Sequence, residues 1–279
     1  MSKQIGFVDF KLDNFHANTY LAAIRKELSG RGFAVAGCYS LEEATGRQWA
    51  EKNGVPCFDS VAKLDKVVDH YMILAPSNPE THWALCKKVF PMRKPTYVDK
   101  TFAPDFKTAA KIFALADKYS IAMQTTSALR YTKIQAYVRE VDAANVRHMV
   151  AWGGGGSFEE YAIHPVELVV SCMGPDAERL MLRSAGNQRQ LIIDFSGGRT
   201  AVINVYLNAA TPFASSVTTD KETKIIVVDG ARLFLDMAAA ILDLFETGKA
   251  TIDRAESLMI RRILDVALKA KATGRFMKL

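Results

Sequence analysis

Short apolar segments alternate with segments of helical periodicity over the first 125 residues, and this alternation restricts the fold more than any other feature of the chain. Strands are expected at residues 4–10, 33–38, 68–75 and 95–99. Helices are expected between and after them, at residues 15–28, 41–54, 60–67, 80–90 and 104–119. Strands that alternate with helices of this length are typical of βαβ units, so we predict a parallel sheet covered by helices.

The pattern changes after about residue 125, where apolar runs follow one another over short connections. These runs lie at residues 146–153, 179–186, 189–196, 199–207 and 223–230. The sequence Ser196-Gly197-Gly198 between two of them predicts a hairpin. Helices are expected at residues 159–172, 231–246 and 252–272. We therefore predict a first domain over residues 1–125 and an α+β domain with a largely antiparallel sheet over residues 126–279, through which the chain forms a homo-oligomer.

Composition excludes several other classes of protein. Apolar residues make up 49% of the 279 residues and charged residues 24%, which is typical of a soluble globular protein. No uninterrupted apolar stretch reaches the length of a membrane span. The net charge of +6 comes from scattered residues, with no basic run longer than two, so neither a nucleic-acid nor a membrane partner is expected. The chain starts almost directly with the strand-like IGFVDF, which favours a cytoplasmic protein without a signal peptide.

The cysteines do not form a metal-binding motif. Cys38, Cys57, Cys86 and Cys172 are too far apart in the sequence for a C-x-x-C pair. We expect reduced thiols that are mostly buried.

Four sequence motifs carry a resemblance to a known family. They are NPETHWAL at residues 78–85, Tyr97-Val-Asp-Lys-Thr at 97–101, Arg130-Tyr131, and GGGGSFEEYAIHPVE at 153–167. In this order and spacing they resemble the TP-x-x-H-x-x-L, Glu-Lys-Pro, Arg-aromatic and acid-x-x-x-His motifs of the Gfo/Idh/MocA family of sugar and cyclitol oxidoreductases. The resemblance spans nearly the whole chain, although the second domain is shorter than is usual in that family. Asp99 replaces the family's Glu, and Thr101 replaces its Pro.

The resemblance implies an α/β fold with an N-terminal Rossmann-like, dinucleotide-binding domain, NAD or NADP as cofactor, and a carbohydrate-like small-molecule substrate held between the domains. The implied catalytic residues are Lys100, His164 and Glu160. The implied substrate-binding residues are Arg130, Tyr131, Trp152 and Glu167. The implied cofactor-binding residues are Phe10, Lys11, Asp13, Asn14, Tyr39, Ser40, Pro76, Asn78, Pro79, His82 and Asp99.

The chemistry of these side chains agrees with such roles. Lys100 follows a buried strand, so its ammonium group should lie at the carboxyl end of the sheet and could hold a substrate hydroxyl. A lysine on the surface at the end of a strand is the alternative. Glu160 and His164 are four residues apart and would share a helix face, where the histidine could accept a proton. An exposed pair at the start of a helix is the alternative for these two.

Other candidate residues have a simpler interpretation. His82, inside the first turn of a helix, is more often structural than catalytic. The glycines at 153–156 could form a bulged turn that brings the backbone near a ligand, or could merely end a strand. A metal site built from Glu160, His164 and Glu167 is not expected, because a further ligand is missing.

One feature departs from the family pattern. If His16 is aligned with the motif G-x-G-x-x-G-x-x-H, the three glycines fall at Val8, Phe10 and Asp13. Glycine at these positions allows the tight turn and the close approach of backbone to pyrophosphate. Asp13 is expected to cap the next helix, where its carboxylate would repel phosphate and Lys11 would partly offset the repulsion.

The end of the second predicted strand carries Tyr39-Ser40 in place of a ribose-binding acid, so the choice between NAD and NADP stays open. Three hypotheses follow. The first is hydride transfer between a nicotinamide cofactor and a sugar, polyol or related hydroxy compound. The second is a non-redox protein that has lost dinucleotide affinity and binds a carbohydrate or a partner protein. The third is other chemistry on a sugar, such as hydrolysis or isomerisation with retained cofactor.

Overall fold

The computed structural model describes residues 3–270 and 274–279. The chain forms two compact units. The first contains Met1–Thr126 and Phe234–Arg254, and the second contains Ser127–Leu233 and Ala255–Leu279. The segment Phe234–Arg254, which the sequence-based division assigned to residues 126–279, thus packs with the first unit.

The first part of the chain alternates strands and helices. The strands are β1 (Lys3–Asp9), β2 (Phe33–Ser40), β3 (His70–Ile73), β4 (Thr96–Val98) and β5 (Met123–Gln124). The helices are α1 (Phe15–Arg25), α2 (Glu43–Asn53), α3 (Val61–Leu64), α4 (Pro79–Val89) and α5 (Phe106–Lys118). The five strands pair in parallel in the order β2-β1-β3-β4-β5, which confirms the predicted parallel sheet.

The remaining elements lie mainly in the second unit. The helices are α6 (Lys133–Val141), α7 (Phe158–Tyr161), α8 (Ile163–Met173), α9 (Leu233–Thr247) and α10 (Arg254–Lys269). The strands are β6 (His148–Gly155), β7 (Ala177–Ala185), β8 (Gln188–Phe195), β9 (Thr200–Leu207), β10 (Ala214–Thr218), β11 (Thr223–Val227) and β12 (Met277–Lys278). From Phe234 onward, α9 belongs to the first unit.

The core of the first unit explains why its strands read as continuous apolar runs. β3 and β4 are buried along their whole length, as strands of a parallel sheet with helices on both faces must be. The largest fully buried side chains in this unit are Trp49, Tyr20, Tyr71, Tyr97, Phe7 and Phe90.

The second unit contains a seven-stranded sheet in the order β11-β10-β6-β9-β8-β7-β12. All neighbouring strands are antiparallel except β6 and β9, which are parallel. The sheet is therefore largely antiparallel, as predicted. The predicted hairpin at residues 196–198 joins β8 to β9, and Gly197 and Gly198 take positive φ angles of 70° and 75° there.

The two faces of this sheet differ in their surroundings. Alternate residues of one face, such as Met149, Ile203 and Ile193, share one core with Val166 and Val170 of α8. The opposite face carries another set of apolar side chains that are only half-buried or exposed. These are Val150, Trp152, Met181, Ile192, Val202, Ile225 and Val227, and we call them the open sheet face.

Four elements were not predicted from the sequence: β5, α6, β10 and β12. The signal for α6 was present, because Thr132 and Gln135 form a reciprocal capping box at its start. β5 and β12 contain only two residues each, which is too short for a recognisable pattern. None of the helices in the described parts of the chain combines the length and the apolarity that crossing a bilayer requires.

His70 is a titratable group enclosed in the first unit. Its ring stacks on Phe245 at 4.7 Å between centroids with an interplanar angle of 10°. Its Nδ1 atom is buried and has no hydrogen-bond partner among the described residues. Burial lowers the pKa of His70 to about 4, because the charged imidazolium would lose its hydration.

We expect His70 to make folding sensitive to acid. Its pKa is lower in the folded state, so the unfolded chain takes up a proton first, and stability present above pH 6.5 is lost as the pH falls towards 4. Between pH 7 and pH 5 the contribution of His70 to the free energy of unfolding should fall by about 1–2 kcal/mol. His70→Phe should remove that part of the pH dependence. Urea unfolding at both pH values measures it. His148→Gln is the control, and equal pH dependence in wild type and His70→Phe would contradict the assignment.

Candidate active site

The loop between β1 and α1 is built around buried side chains rather than glycines. Leu12 is fully buried and anchors the middle of the loop. Asn14 caps α1, since its side-chain Oδ1 accepts a hydrogen bond of 3.0 Å from the Ala17 amide. The expectation that Asp13 caps this helix is therefore wrong. Asn14 is the residue directly before the helix and has the extended backbone that capping requires, whereas Asp13 is exposed.

Asp9, at the carboxyl end of β1, holds this loop together. Its Oδ1 accepts from the Lys11 amide at 2.9 Å, and its Oδ2 accepts from Nδ2 of Asn14 at 2.9 Å. Burial raises the pKa of Asp9 to about 6, although hydrogen bonds from the Ala75 and Lys11 amides oppose the shift. The carboxylate thus takes a loop amide that a glycine-rich loop would present to phosphate.

The end of β2 is tied to the same loop. Oγ of Ser40 donates to the carbonyl oxygen of Phe10 at 2.9 Å. The Leu41 amide donates to the Asp9 carbonyl, and the Glu42 amide donates to the Phe10 carbonyl. Ser40 is buried and Tyr39 is half-buried. Ser40 therefore supports the loop.

A buried carboxylate lies next to Lys100. Asp99 directly follows β4, and its Oδ2 lies 2.5 Å from Nδ1 of His16 at the start of α1. Its Oδ1 accepts from the hydroxyl of Tyr97 at 3.0 Å and from the Lys100 amide at 2.8 Å. Asp99 is 0% exposed and Lys100 is 7% exposed. The strand end that carries Lys100 is thus fixed to α1 through one carboxylate.

His82 fixes the segment after Lys100. Its Nδ1 lies 2.9 Å from the carbonyl oxygen of Phe102, and its Nε2 lies 2.6 Å from that of Leu74 at the end of β3. The ring is fully buried. These contacts support the structural interpretation of His82.

The other residues expected near the cofactor lie at the start of α4. Pro76 is buried, Pro79 occupies the first helical position, and Nδ2 of Asn78 donates to Oε1 of Glu80.

In the second unit, His164 contacts a serine that the sequence analysis did not identify. Nδ1 of His164, the second residue of α8, lies 2.7 Å from Oγ of the fully buried Ser127. The ring meets Tyr161 and Phe213 edge-on. Thirty-seven residues separate Ser127 from His164, and no local pattern connects them.

Glu160 lies on α7, and the expected single helix at 159–172 is divided there. Ala162 separates α7 from α8 but keeps helical angles (φ −61°, ψ −25°). Glu160 and His164, which are four residues apart, are therefore related nearly as two residues one turn apart in a single helix.

Arg130 and Glu167 form a buried ion pair in this unit. Oε1 of Glu167 accepts from Nε of Arg130 at 2.9 Å, and Oε2 accepts from the Ser127 amide at 2.7 Å. Nη1 of Arg130 also donates to Glu256. Burial opposes the charge of Arg130, but the two carboxylates outweigh it and raise the pKa of Arg130. Its Nη2 atom is buried without a hydrogen-bond partner in the described chain.

The glycines at 153–155 provide room for side chains. β6 continues through Gly155 and ends there, so Gly153 and Gly154 lie within a strand rather than in a bulged turn, and the strand ends inside the glycine run. A Cβ atom on Gly155 would lie 2.0 Å from Cγ of Tyr161, and one on Gly153 would lie 3.0 Å from the ring of Phe213. Both rings contact His164, so the glycines allow the packing around it. Trp152 and Tyr131 are half-buried.

No group of three or more acidic, histidine or cysteine side chains suited to a metal ion occurs in the described part of the chain.

A five-stranded parallel sheet with Asp9, Ser40 and Asp99 at the carboxyl ends of its strands defines a Rossmann-like unit. A family model described as "Oxidoreductase family, NAD-binding Rossmann fold" matches residues 8–127. The match confirms the resemblance to the Gfo/Idh/MocA family over residues 8–127. No curated protein matches the sequence.

Solved structures match both units. Myo-inositol 2-dehydrogenase from Lactobacillus plantarum is 12% identical, with 100% of both chains covered and a TM-score of 0.84. Scyllo-inositol dehydrogenase from Lactobacillus casei, bound to NAD(H) and scyllo-inositol, is 11% identical, with 100% of this chain and 99% of that chain covered and a TM-score of 0.84. GenD2 from gentamicin A biosynthesis, in complex with NAD, is 12% identical, with 100% and 96% covered and a TM-score of 0.83. At this identity the matches establish the fold.

We expect Glu167→Gln to destabilise the protein. The glutamine side chain keeps an oxygen that can accept from the Ser127 backbone amide, but the substitution removes one of the two charges that face Arg130. The free energy of unfolding should fall by about 2–3 kcal/mol, because a buried ion pair is partly broken. Glu159→Gln, at an exposed position on α7, is the matched control and should stay within about 0.5 kcal/mol of wild type. Denaturant unfolding measures both. Equal losses in the two variants would show that the Arg130–Glu167 pair does not support the fold.

Proposed function

We propose that this chain is an NAD(P)-dependent oxidoreductase that acts on a hydroxyl group of a sugar, a polyol or a related hydroxy compound. The observation that carries the proposal is the order imposed on Lys100 by Asp99 and His16 at the carboxyl end of β4, in a segment that matches an NAD-binding family. The structural likeness to two inositol dehydrogenases supports a polyol-like substrate.

The residues at the β1–α1 loop fit a dinucleotide without the glycine motif. The first turn of α1 contains no acidic residue, so its positive end can attract a phosphate group. The exposed side chain of Lys11 is the proposed phosphate contact, with Phe10, Asp13 and Asn14 beside it. Tyr39 and Ser40 are the proposed neighbours of the ribose. The segment at the start of α4 is proposed to lie beside the nicotinamide, and it contains Pro76, Asn78, Pro79 and His82.

Lys100 is the proposed group that binds the reacting hydroxyl. Its amide is held by Asp99 and its side chain is largely buried, so the backbone that carries the ammonium group is fixed. A buried cation stabilises negative charge that develops on a substrate oxygen. The bound nicotinamide would supply the hydride acceptor.

His164 is the proposed proton acceptor. When Nδ1–H donates to Oγ of Ser127, Nε2 carries the lone pair that can take the hydroxyl proton. In that tautomer Ser127 holds the ring through Nδ1, and Glu160 is proposed to favour the imidazolium once it forms. Arg130, through its unpartnered Nη2, and the half-buried Tyr131 and Trp152 are the proposed substrate contacts. Glu167 is proposed to orient Arg130.

We expect His164→Asn and Lys100→Met to reduce turnover by at least about 100-fold, because the first removes the proton acceptor and the second removes the cation that stabilises charge on the substrate oxygen. The assay follows NADH and NADPH formation at 340 nm with a panel of inositols, hexoses and their alcohols. Melting temperatures should change little. His148→Asn is the matched control, because His148 contacts Thr200 rather than Ser127, and it should retain activity.

A specific observation favours the non-redox alternative. Asp9 already occupies the Lys11 amide, and the exposed carboxylate of Asp13 lies beside the expected position of the phosphates. Calorimetric titration of NADH and NADPH into the wild-type protein separates the two functions. If neither nucleotide binds while a carbohydrate still does, the redox proposal fails.

We also propose that the chain forms a homo-oligomer through the open sheet face. Seven apolar side chains of this face are half-buried or exposed in the single chain, and β11 is an edge strand with Ile225 at 71% and Val227 at 60% exposure. Apolar surface of this extent is stabilised by association with a complementary surface, and a second copy provides one.

We expect Ile192→Asp to shift the wild-type oligomer towards monomer, because a charge in an apolar interface must be desolvated. Sedimentation equilibrium measures the shift. Lys111→Asp, at an exposed position on α5, is the control and should leave the mass unchanged. A wild-type monomer at all concentrations would contradict the proposal.

A further inference from the structure

Two cysteines distant in the sequence face each other at the edge of the first sheet. β2 is the outermost strand of that sheet, and a short segment after α2 adds one parallel bridge to it, between Cys38 and Cys57. The Cys38 amide donates to the carbonyl oxygen of Pro56, and the Phe58 amide donates to the carbonyl oxygen of Cys38, both at 2.9 Å. The backbone bonds on both sides of Cys57 therefore fix its register against Cys38.

This register suits a disulfide bond. Paired residues of neighbouring strands lie about 4.8 Å apart, within the range of about 4.4–6.8 Å between the Cα atoms of bridged cysteines. Side chains of a bridged pair leave the sheet on the same face. The backbone bridge therefore places Cys38 and Cys57 side by side on one face of the sheet edge.

The two thiols differ in their surroundings. Cys38 is 0% exposed, whereas Cys57 is only half-buried. Burial raises the pKa of the Cys38 thiol, and the adjacent Cys57 raises that pKa further. Cys57 is therefore the thiol that a dissolved oxidant reaches first, and Cys38 is the thiol behind it.

We infer that Cys38 and Cys57 are a redox modification site that forms a reversible disulfide on reaction with a peroxide. The Cys57 sulfur attacks one oxygen of hydrogen peroxide, the O–O bond breaks, and a sulfenic acid and water result. The Cys38 sulfur then attacks the sulfenic sulfur, the S–O bond breaks, and the hydroxyl leaves as water with the proton of Cys38. Two thiols and one peroxide thus give one disulfide and two water molecules, with two electrons passed to the peroxide.

The disulfide would close a covalent loop from Cys38 to Cys57, and this loop contains the end of β2 and the whole of α2. The next residues of β2 lead to Ser40, whose hydroxyl holds the Phe10 carbonyl in the β1–α1 loop. Oxidation therefore tethers the edge of the sheet that supports this loop. The inference about the disulfide itself does not depend on the proposed oxidoreductase function.

The test treats the full-length reduced protein with a small molar excess of hydrogen peroxide, followed by alkylation and non-reducing peptide mapping. We expect one linked peptide pair that contains Cys38 and Cys57, loses the mass of two hydrogen atoms and separates again after reduction. The melting temperature should rise by about 5 °C on oxidation, because the closed loop restricts the unfolded chain. Cys57→Ser should abolish the linked pair and the shift.

Cys86→Ser is the matched control, because Cys86 is fully buried and lies apart from this pair in α4; it should form the Cys38–Cys57 link as the wild type does. Three outcomes would overturn the inference. They are a sulfinic acid on Cys57 with Cys38 still alkylated, a disulfide between two chains through Cys57, and the absence of any link after complete consumption of the peroxide.

Discussion

The first unit depends on a carboxylate that has been removed from water and fully supplied with donors. A buried, ionised side chain is costly unless hydrogen bonds and opposite charge compensate it. Asp99 accepts from the hydroxyl of Tyr97 on β4 and from the amide of the next residue, Lys100, and it contacts the ring of His16 on α1. The same contacts that offset the burial of Asp99 therefore fix the direction in which the chain leaves the sheet at Lys100. Apolar side chains of the same volume could not do this, because apolar contacts do not specify direction as hydrogen bonds do.

A similar arrangement orders the second unit. Glu167 holds both the Ser127 amide and the Arg130 guanidinium, and Ser127 in turn contacts His164. The charged pair thus positions residues that precede α6 against α8. In both units a buried carboxylate bonds to a basic residue, to the backbone amide of Lys100 in the first and to the guanidinium of Arg130 in the second. A buried ion pair of this kind adds little net stability over apolar packing, but it is strongly destabilising when broken, so it selects one arrangement of the backbone.

The β1–α1 loop shows how this fold can do without its usual glycines. Glycine-rich loops turn tightly and leave their amides for phosphate. Here Leu12 fills the core beneath the loop, Asn14 caps the helix and Asp9 accepts the Lys11 amide. The absence of the glycines was evident from the sequence. The replacement of their role by Asp9 was not, because a residue inside a strand gives no local sign that its side chain bonds to the following loop. Asp13 and Asn14 are both favourable N-cap residues, so the sequence alone does not show that Asn14 is the cap.

Periodicity of apolar residues determined the strand–helix alternation, the parallel first sheet, the antiparallel second sheet and the hairpin at 196–198, because these follow from which residues must be buried and at what spacing. The motifs at residues 78–101 likewise indicated, by residue type and order, the family whose model matches residues 8–127. Only the tertiary structure decided the partners: Asp99 with His16, Ser127 with His164, Arg130 with Glu167, and Cys38 with Cys57. It also decided that the segment Phe234–Arg254 packs with the first unit. Pairings between residues far apart in the chain arise from the packing of whole elements. The local sequence pattern does not indicate which elements pack against each other.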